Sequence, residues 1–469
     1  MTVVVPGRPF PLAPGADLTG LRVTVMGLGG FSGGVETIRF LVGKGAGVLV
    51  TDLKDKRALA PSLKEIENLP VETRLGRHEE DDFTKADLVV VSPAVPPDSR
   101  YLKLAADADV PLMTELGLTM ALLTGPVAWV TGTCGKSTTT ALLGAILAAG
   151  GVKSEVGGNI GRALVARAES FDPDQVTVLE VSSFQLEWMA RDGISPDLTV
   201  VTNLTPNHLD RHGTVESYAA AKAAALPEHG PAILNHDDPL TRERLLPAVK
   251  DDLFTTSMKT VVTRGAYLRG PEAVLSILGV EEVLFQLPDL KLLGDFNRMN
   301  ALQAALAARL LRGPTGAAAK ALPGFHGLPH RLEIVGEREG ITGVNDSKAT
   351  TPEAAVRAIR AVPGGLVLIA GGFERSAALR DFVDTVHARV KGVVLVGASA
   401  KRVAKALGKA GPVVVRADSL EGAVRDAFDL AEPGDTMLLS PAHASWDMFT
   451  SYEERGERFS EAFLAYDGS

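Results

Sequence analysis

A short segment that joins an apolar strand to a helix constrains the fold of this chain more than any other feature. The strand-like run Val-Ala-Trp-Val at 127–130 leads into Thr-Gly-Thr-Cys-Gly-Lys-Ser-Thr at 131–138, and an Ala/Leu-rich helix follows. A phosphate chain needs backbone N–H groups at a helix N-terminus, a Lys for its oxygens and a hydroxyl for Mg²⁺. Lys136 and Ser137 supply the last two groups, so the segment predicts a phosphate-binding loop between a buried strand and a helix.

The spacing of the glycines in this loop is unusual. The common phosphate loop has four residues between its first Gly and its Gly-Lys pair, whereas two residues separate Gly132 from Gly135 here. The alternative interpretation is a glycine-rich turn with an exposed Lys and no ligand. Because strand, turn, Lys, hydroxyl and helix all fall in register, the pattern favours a nucleotide site. Cys134 is disfavoured as a nucleophile, since covalent chemistry inside the loop would obstruct the nucleotide.

Composition places this loop in a large globular protein. The 469 residues suggest about three domains, and 45% apolar with 22% charged residues is a globular balance. A net charge of −9 argues against a nucleic-acid partner, and the single Cys excludes an internal disulfide and suits a reducing compartment. Neither a signal peptide nor an apolar run long enough to span a membrane is evident. We therefore expect a cytoplasmic α/β protein with no membrane span.

Strand-like runs alternate with helical patterns along the chain, which predicts repeated βαβ units and parallel sheets. An N-terminal unit has a glycine loop at 27–34 and an acid, Asp52, after its second strand, as in nucleotide-binding folds. Ser32 stands where the dinucleotide pattern has a third Gly or Ala, so a nucleotide diphosphate is favoured over a redox dinucleotide. We expect three domains, N-terminal Rossmann-like, central with a P-loop-type ATPase sheet and C-terminal Rossmann-like, at 1–124, 125–326 and 327–469.

Polar side chains follow two apolar runs of the central region. Glu180 ends the run 176–180, and His208 lies in a polar cluster after the run 198–202. Because the carboxyl ends of parallel strands meet at one edge of a sheet, an acid and an imidazole there can share a divalent cation with Ser137. The alternatives are a Glu at a surface edge and an ordinary polar loop. The lack of further His or Cys at tight spacing argues against a tetrahedral zinc site.

Three other segments are less decisive. Lys222 lies in an Ala-rich helix, where composition alone predicts a solvated Lys. The segment 345–352 combines an acid, a cation and hydroxyls ahead of a helix, which is typical either of an anion site or of an ordinary N-cap. The segment 440–447 follows the last apolar run, where loops commonly build ligand pockets.

Four motifs carry a resemblance to a known family. They read Gly-Thr-x-Gly-Lys-Ser-Thr at 132–138, Glu-x-Ser-Ser-Phe-Gln at 180–185, Asn-Leu-Thr-x-x-His-Leu-Asp at 203–210 and Asn-x-x-Asn-Ala at 297–301. In this order they resemble the motifs of the Mur ligases, the ATP-dependent amide-bond ligases of peptidoglycan precursor synthesis. The resemblance covers essentially the whole chain. Within the family, the segments 329–333, 345–350 and 439–445 resemble those of the branch that adds D-glutamate.

The resemblance implies ligation of D-glutamate to UDP-N-acetylmuramoyl-L-alanine through an acyl phosphate, by a monomer that uses ATP and two Mg²⁺ ions. It implies catalytic roles for Lys136, His208 and Lys222. It implies metal contacts from Ser137, Glu180, His208 and a carbamylated Lys222. It implies ATP contacts from Gly132, Thr133, Gly135, Lys136, Ser137, Thr138, Asn300, Arg331 and Asp346. It implies UDP-substrate contacts from Gly29, Gly30, Phe31, Asp52, Ser92, Asn159 and Ser182, and D-glutamate contacts from Lys348, Thr350, Arg375, Ser445, Trp446 and Tyr452.

The chain departs from the common family pattern at several of these positions. Cys134 replaces a frequent Asn, Phe296 replaces a His, and Arg375 stands where a Lys usually helps to bind the side-chain carboxylate of D-glutamate. An Arg could still do so as a bidentate donor. Three other functions stay open on the residues alone: an NAD-dependent oxidoreductase built on the 27–34 loop, a nucleotide-binding regulator without catalysis, and a folylpolyglutamate-type synthetase, which normally lacks the unit at 21–52.

Overall fold

The computed structural model describes residues 12–29, 32–161, 163–373 and 378–468, in which three separate β-sheets are flanked by helices. The sequence-predicted site residues Gly30, Phe31 and Arg375 lie outside the described residues. None of the helices in the described ranges has both the length and the apolar character that crossing a bilayer requires.

The N-terminal sheet has five parallel strands in the order β3-β2-β1-β4-β5. The strands are β1 (Arg22–Met26), β2 (Gly47–Asp52), β3 (Val71–Leu75), β4 (Leu88–Val91) and β5 (Leu112–Met113). The helices are α1 (Ser32–Gly43), α2 (Ala60–Glu65), α3 (Asp81–Thr84), α4 (Arg100–Asp107) and α5 (Glu115–Leu122). Because β1 pairs with both β2 and β4, the strand order reverses at β1, and ligands of such sheets bind beyond the carboxyl ends of the strands at that point.

The middle sheet has nine strands in the order β14-β13-β12-β11-β10-β9-β6-β8-β7. The parallel strands are β6 (Val127–Thr131), β7 (Ser154–Gly158), β8 (Val176–Glu180), β9 (Leu198–Val201), β10 (Pro231–Asn235), β11 (Asp252–Ser257) and β12 (Arg264–Arg269). Antiparallel pairing adds β13 (Glu272–Ile277) and β14 (Val280–Gln286). The helices are α6 (Lys136–Ala149), α7 (Ser183–Arg191), α8 (Leu209–His212), α9 (Val215–Ala223), α10 (Asp295–Leu310) and α11 (Ala317–Ala321).

The position of β6 explains why the polar motifs of this sheet meet. β6 is fully buried and pairs with β8 on one side and with β9 on the other. Side chains that follow these three strands therefore share one edge of the sheet. Glu180 is level with Val130 on β6, one residue before Thr131 and the phosphate loop.

The C-terminal sheet has six strands in the order β15-β16-β20-β17-β18-β19, all parallel except the β15–β16 pair. The strands are β15 (Glu333–Arg338), β16 (Ile341–Asn345), β17 (Leu366–Gly371), β18 (Gly392–Val396), β19 (Val413–Arg416) and β20 (Thr436–Leu439). The helices are α12 (Pro352–Ala361), α13 (Arg380–Arg389), α14 (Ala400–Leu407), α15 (Leu420–Leu430) and α16 (Tyr452–Leu464). The expected α/β architecture with parallel sheets is thus confirmed.

The chain divides into two compact units. The first comprises Met1–Asp289 with Met299–Leu322, and the second comprises Leu290–Arg298 with Pro323–Ser469. One of the three boundaries between them, 298/299, falls within α10. The first unit holds both the N-terminal and the middle sheets, whose apolar side chains form one buried cluster that includes Val90 and Trp129. The expected domain boundaries at 124 and 326 stay a prediction.

Candidate active site

The phosphate loop has a backbone that only glycine can form at two positions. Gly132 has φ 137° and Gly135 has φ 85°, in the region that side chains disfavour. A Cβ atom on Gly132 would lie 2.0 Å from Thr202 Oγ1, and one on Gly135 would lie 2.4 Å from Asn300 Oδ1. The sequence-predicted residue Asn300 therefore packs directly on the loop that opens α6.

The loop is held by Thr202 and Asn203, which directly follow β9 and for which the sequence predicted no role, although Asn203 begins one of the four motifs. Cys134 N–H donates to Asn203 Oδ1 at 3.0 Å, and Cys134 O accepts from Asn203 Nδ2 at 2.9 Å and from Thr202 Oγ1 at 2.6 Å. The feature that could have predicted this role is their position directly after β9, a buried strand that pairs with β6. Because the bonds use only the backbone of Cys134, the loop keeps its shape without the Asn that is frequent there.

The remaining predicted residues of the loop lie at its start and in the first turn of α6. Thr133 Oγ1 lies 3.0 Å from Tyr218 Oη, and Thr133 N–H donates to Asn203 O. Lys136 Nζ donates to Gly132 O at 3.1 Å and to Thr133 O at 3.0 Å, so its ammonium lies over the loop. Ser137 is buried and Thr138 is half-buried. These groups and the helix N-terminus concentrate positive potential where an anion would bind.

Glu180 ends β8 as a buried carboxylate with one unsatisfied oxygen. Its exposed fraction is 2%, and Oε1 accepts from Asn159 Nδ2 at 3.3 Å. Oε2 has no hydrogen-bond partner among the described residues. A buried anionic oxygen without a donor is costly, and a cation would relieve that cost. The donor set thus fits a hard divalent ion, although no group of three His, Cys, Asp or Glu suited to a metal occurs in the described part of the chain.

Lys222 lies on α9 and is almost completely enclosed. Its exposed fraction is 1%, Nζ donates to Thr131 Oγ1 at 2.8 Å, and the ammonium lies 5.5 Å from the Tyr218 ring centroid. Burial, and then the charge of Lys136, hold the pKa of Lys222 well below its ordinary value, against an opposing effect of Glu180. The composition-based expectation of a solvated Lys is therefore wrong.

The two histidines of the 203–212 segment differ in their surroundings. His208 is exposed, has φ 52°, and its ring centroid lies 5.1 Å from that of Phe184. Partial desolvation, followed by the charge of Lys136, lowers the pKa of His208. His212 is enclosed, with Nε2 3.0 Å from Ser183 Oγ and Nδ1 3.2 Å from Glu187 Oε1, so it fixes α8 on α7. The His208 ring is thus the one of the two that lies open to a ligand.

Arg211, which sequence reasoning also missed, connects this segment to the N-terminal sheet. Its guanidinium donates to Ala94 O at 3.2 Å, to Val95 O at 3.4 Å and to Glu187 Oε2 at 3.1 Å. Ala94 and Val95 belong to the loop after β4, which begins at the predicted residue Ser92. The side chain therefore links α7 and α8 to that loop.

The predicted UDP-substrate residues occupy the carboxyl edge of the N-terminal sheet and the edge near Glu180. Asp52 Oδ2 accepts from Leu28 N–H at 3.0 Å and Gly29 N–H at 3.4 Å, so the carboxylate closes the glycine loop. Ser92 lies beside this loop, since a Cβ atom on Gly27 would lie 2.9 Å from its Cβ. Two further positions, Asn159 and Ser182, flank Glu180: the first bonds to it, and the hydroxyl of the second forms a capping box with Gln185 at the start of α7.

Arg331 and Asp346 lie close together in the second unit. Asp346 Oδ1 accepts from Leu332 N–H at 3.2 Å, and Oδ2 accepts from Ser440 Oγ at 3.0 Å. Burial raises the pKa of Asp346 to about 7, while these bonds and the charge of Arg331 oppose the rise. Leu332 follows Arg331 directly, so both predicted nucleotide residues lie at the start of β15 and the end of β16.

The described residues predicted to bind D-glutamate converge on one end of the C-terminal sheet. Lys348 Nζ lies 4.9 Å from the ring centroid of Tyr452, the first residue of α16. Thr350 N–H donates to Lys348 O at 2.9 Å, and the following Thr351 caps α12. Ser445 and Trp446, which are also predicted to bind D-glutamate, follow β20. Ser445 is 2% exposed and Trp446 is 62% exposed.

A glycine loop at a helix N-terminus, beside a buried acid on the neighbouring strand, is typical of enzymes that use a nucleoside triphosphate. The chain belongs to the Mur ligase family. Family models described as "Mur ligase MurD-like, N-terminal domain", "Mur ligase middle domain" and "Mur ligase, glutamate ligase domain" match residues 21–114, 130–308 and 330–443. This family is ATP-dependent.

Relatives named UDP-N-acetylmuramoylalanine–D-glutamate ligase match nearly the whole chain. The protein of Pelotomaculum thermopropionicum is 40% identical over 453 residues, which are 96% of this chain and 98% of the relative. The protein of Caldanaerobacter subterraneus subsp. tengcongensis is 39% identical over 457 residues, 96% of this chain and 99% of the relative. These matches confirm the family resemblance that the motifs predicted.

Solved structures of other Mur ligases share the fold. UDP-N-acetylmuramate-alanine ligase MurC from Thermotoga maritima aligns with a TM-score of 0.59 at 19% identity, over 95% of this chain and 99% of that one. The MurF ligase from Thermotoga maritima, solved in complex with ADP, aligns with a TM-score of 0.57 at 17% identity, over 89% and 94% of the two chains. At these identities the likeness supports the three-domain fold alone.

Proposed function

We propose that this chain ligates D-glutamate to UDP-N-acetylmuramoyl-L-alanine at the expense of ATP. The observation that carries the proposal is the phosphate loop on β6 with the unsatisfied Glu180 Oε2 at the end of the adjacent strand. The relatives at 39–40% identity bear the name of this activity over 96% of the chain, and the MurF neighbour holds ADP.

The reaction requires a carboxylate to become an electrophile. The alanyl carboxylate oxygen attacks the γ-phosphorus, the bond to the ADP oxygen breaks, and an acyl phosphate forms. The amine of D-glutamate then attacks the acyl carbon. The bond between that carbon and the phosphate oxygen breaks, phosphate leaves with the electron pair, and the amine loses a proton to solvent. Because anions must approach each other in the first step, positive groups at fixed positions carry much of the catalysis. Lys136 and the N-terminus of α6 are such groups.

The chain's residues also suit two Mg²⁺ sites. Ser137 and Glu180 would hold one ion, and His208 with a carbamylated Lys222 would hold the second. Bound there, Mg²⁺ would neutralise the oxygens of the transferred phosphoryl group. Support for the first site comes from the unsatisfied Glu180 oxygen. Support for the second comes from the lowered pKa of His208, because partial desolvation and the charge of Lys136 favour the neutral imidazole that a metal ion binds.

Carbamylation of Lys222 follows from ordinary amine chemistry. A neutral amine attacks CO₂, a nitrogen–carbon bond forms, and one proton leaves to water, which converts a buried amine into a carboxylate. Only the neutral amine reacts, and the pKa of Lys222 is held well below its ordinary value by burial. Thr131 Oγ1 accepts from Lys222 Nζ at 2.8 Å and donates its one hydrogen to Val181 O at 2.7 Å, so it would have to release Val181 O before it could donate to the new carboxylate.

The substrates would use the three sheets separately. The UDP moiety would contact Asp52 and Ser92 at the N-terminal sheet, and Asn159 would face the sugar. D-Glutamate would contact Lys348 and Tyr452 at the C-terminal sheet. The matches to D-glutamate ligases over nearly the whole chain, together with the N-terminal family model over residues 21–114, favour this assignment over an NAD-dependent oxidoreductase. We propose a cytoplasmic monomer.

Phosphate release with ATP and UDP-N-acetylmuramoyl-L-alanine tests the function. We expect release to depend on D-glutamate and to stay at background with L-alanine or diaminopimelate. A nucleotide-binding regulator would bind ATP without release under any condition, and an oxidoreductase would change the absorbance of a nicotinamide cofactor instead. Release that diaminopimelate supports as well as D-glutamate would contradict the proposed amino-acid substrate.

Gly135→Ala is expected to raise the KM for ATP by about ten- to a hundredfold, because displacing a phosphate-binding backbone by about 1 Å has effects of that size. The new Cβ would lie 2.4 Å from Asn300 Oδ1, so either the loop or the Asn300 side chain that packs on it must move. Steady-state kinetics measures the KM for ATP, and urea unfolding measures the free energy of unfolding.

Gly151→Ala is the matched control for this substitution. Gly151 follows α6 with φ 75°, and a Cβ atom there would meet no atom of the described residues within 4 Å. The control therefore reports the cost of the left-handed backbone alone, about 1–2 kcal/mol. An unchanged KM for ATP in Gly135→Ala would show that the close approach to Asn300 is unimportant for the nucleotide.

A further inference from the structure

Arg455 is a buried cation that none of the predicted roles uses. It lies in the first turn of α16, its exposed fraction is 1%, and only the tryptophans exceed it in size among the fully buried side chains of the described residues. No carboxylate in the described ranges lies within ion-pair distance of its guanidinium. A buried charge without an ion-pair partner is costly. The more distant charge of Asp447 opposes the effect of burial only in part, so the structure must supply acceptors of another kind.

Those acceptors come from the loops that carry the predicted D-glutamate residues. Arg455 Nη2 donates to Ser347 O at 2.8 Å, and Nε donates to Ser347 Oγ at 2.9 Å. Nη1 donates to His443 O at 3.1 Å. Ser347 Oγ in turn donates to Tyr452 O at 2.8 Å. One guanidinium thus connects the segment before Lys348, the segment before Ser445 and the start of α16.

A third loop approaches the same group. A Cβ atom on Gly372 would lie 3.2 Å from Arg455 Nη1 and 2.3 Å from Ala444 O. Gly372, with φ 143°, therefore brings its backbone against both Arg455 and the 441–446 loop. The next residue, Phe373, donates its N–H to Ala444 O, so Gly372 and Phe373 both belong to this cluster.

The geometry needs the planar fork of an arginine. A guanidinium presents donors in fixed directions, whereas an ammonium is a point charge on a flexible stem. Lys at this position could not reach Ser347 O, Ser347 Oγ and His443 O together. Burial lowers the pKa of Arg455 to about 10, so the group stays protonated at neutral pH and places a positive charge beneath loops that would receive an anionic amino acid.

We infer that Arg455 is a positioning residue that sets the geometry of the D-glutamate loops and thereby the KM for D-glutamate. The inference rests on the proposed function. It concerns neither the phosphate loop nor the predicted metal ligands, which belong to the first unit.

Arg455→Lys tests this inference against a purely structural role. The KM for D-glutamate is expected to rise by at least about tenfold, while the KM values for ATP and the UDP substrate stay within about twofold. Acyl phosphate trapped with hydroxylamine in the absence of D-glutamate is expected to be unchanged. Arg458→Lys is the matched control, since Arg458 lies on the same helix and pairs with Glu421 near the surface.

Three outcomes would overturn the inference. If the wild-type enzyme shows D-glutamate-dependent phosphate release but the KM for D-glutamate is unchanged in Arg455→Lys, the inference is overturned and the proposed function stands. A fall in kcat with all KM values unchanged, together with a lower unfolding temperature, assigns Arg455 a structural role only. A wild-type enzyme without D-glutamate-dependent release overturns the proposed function and this inference with it.

Ser347→Ala provides the same test if Arg455→Lys does not fold. This variant removes the acceptor of Arg455 Nε and the link to Tyr452 O, but keeps the backbone acceptor Ser347 O. We expect the KM for D-glutamate to rise by about three- to fivefold. An unchanged KM in the folded Ser347→Ala enzyme overturns the inference.

Discussion

Lys136→Ala is expected to lower the kcat for D-glutamate-dependent phosphate release by at least about 10³-fold, since removing one group that stabilises developing charge typically costs 10²–10³ and this Lys also helps to position ATP. Its Nζ lies over the loop, bonded to Gly132 O and Thr133 O, where a phosphate would replace those carbonyls. Stopped or continuous phosphate assays with saturating substrates measure the loss.

The fold should tolerate this substitution. Lys136 is half-buried and its ammonium bonds to Gly132 O and Thr133 O of the loop, so Ala at this position removes local loop contacts and leaves the buried strands of the sheet unchanged. Lys153→Ala is the control, because Lys153 is an exposed residue that pairs with Asp172 at the surface. Near-wild-type turnover in Lys136→Ala would mean that the proposed mechanism is wrong.

The sequence allowed the fold to be predicted because local signals agreed with it. Buried-type runs at 127–130 and 176–180 became β6 and β8, and the glycines between strand and helix kept the backbone that the phosphate loop requires. Their adjacency in one parallel sheet follows from a general rule of α/β folds. The sequence assigned no role to Thr202 or to Asn203, although Asn203 begins a family motif, because their role depends on which strand pairs with β6, and that is set by the whole sheet.

Two identical pentapeptides show the limit of local reasoning. Ala-Ala-Ala-Lys-Ala occurs at 219–223 and again at 317–321. Lys222 in the first is 1% exposed and bonds to Thr131, which is 91 residues away along the chain. Lys320 in the second is exposed and bonds to Ala149 O. An all-alanine context has no hydrophobic periodicity, so only the tertiary packing of α9 distinguishes the two.

Residue type also failed to reveal hydrogen-bond partners. Asp52 and Ser182 were predicted to face a substrate, yet much of their capacity is used locally, by the 28–29 backbone in one case and by Gln185 in the other. Arg455 gave no signal at all, because it lies in the strongly charged sequence Tyr-Glu-Glu-Arg-Gly-Glu-Arg, which is typical of a solvated helix. Burial of single charged residues depends on contacts far apart in sequence.

Lys222→Ala is expected to lower kcat by about 10²–10³-fold, the range for the loss of one group that stabilises transition-state charge. If the working form is a carbamate, the missing group is a carboxylate, and millimolar formate or acetate should restore part of the activity. The cavity left by the side chain lies beside Thr131 Oγ1 and the ring of Tyr218, and the charge of Lys136, which acts at this position, would attract such an anion. Phosphate release with and without added acid measures the rescue.

Lys320→Ala is the matched control, because it makes the same change in the second copy of the pentapeptide, where the Lys is exposed. We expect it to leave both kcat and the response to formate unaltered. Wild-type activity should fall in CO₂-depleted buffer and return when bicarbonate is added. A Lys222→Arg enzyme that works well would show that positive charge is what the site needs, and would contradict the carbamate. Rescue of Lys222→Ala by formate but not by chloride would instead show that the site needs carboxylate oxygens, which a neutral buried amine can acquire only by reacting with CO₂.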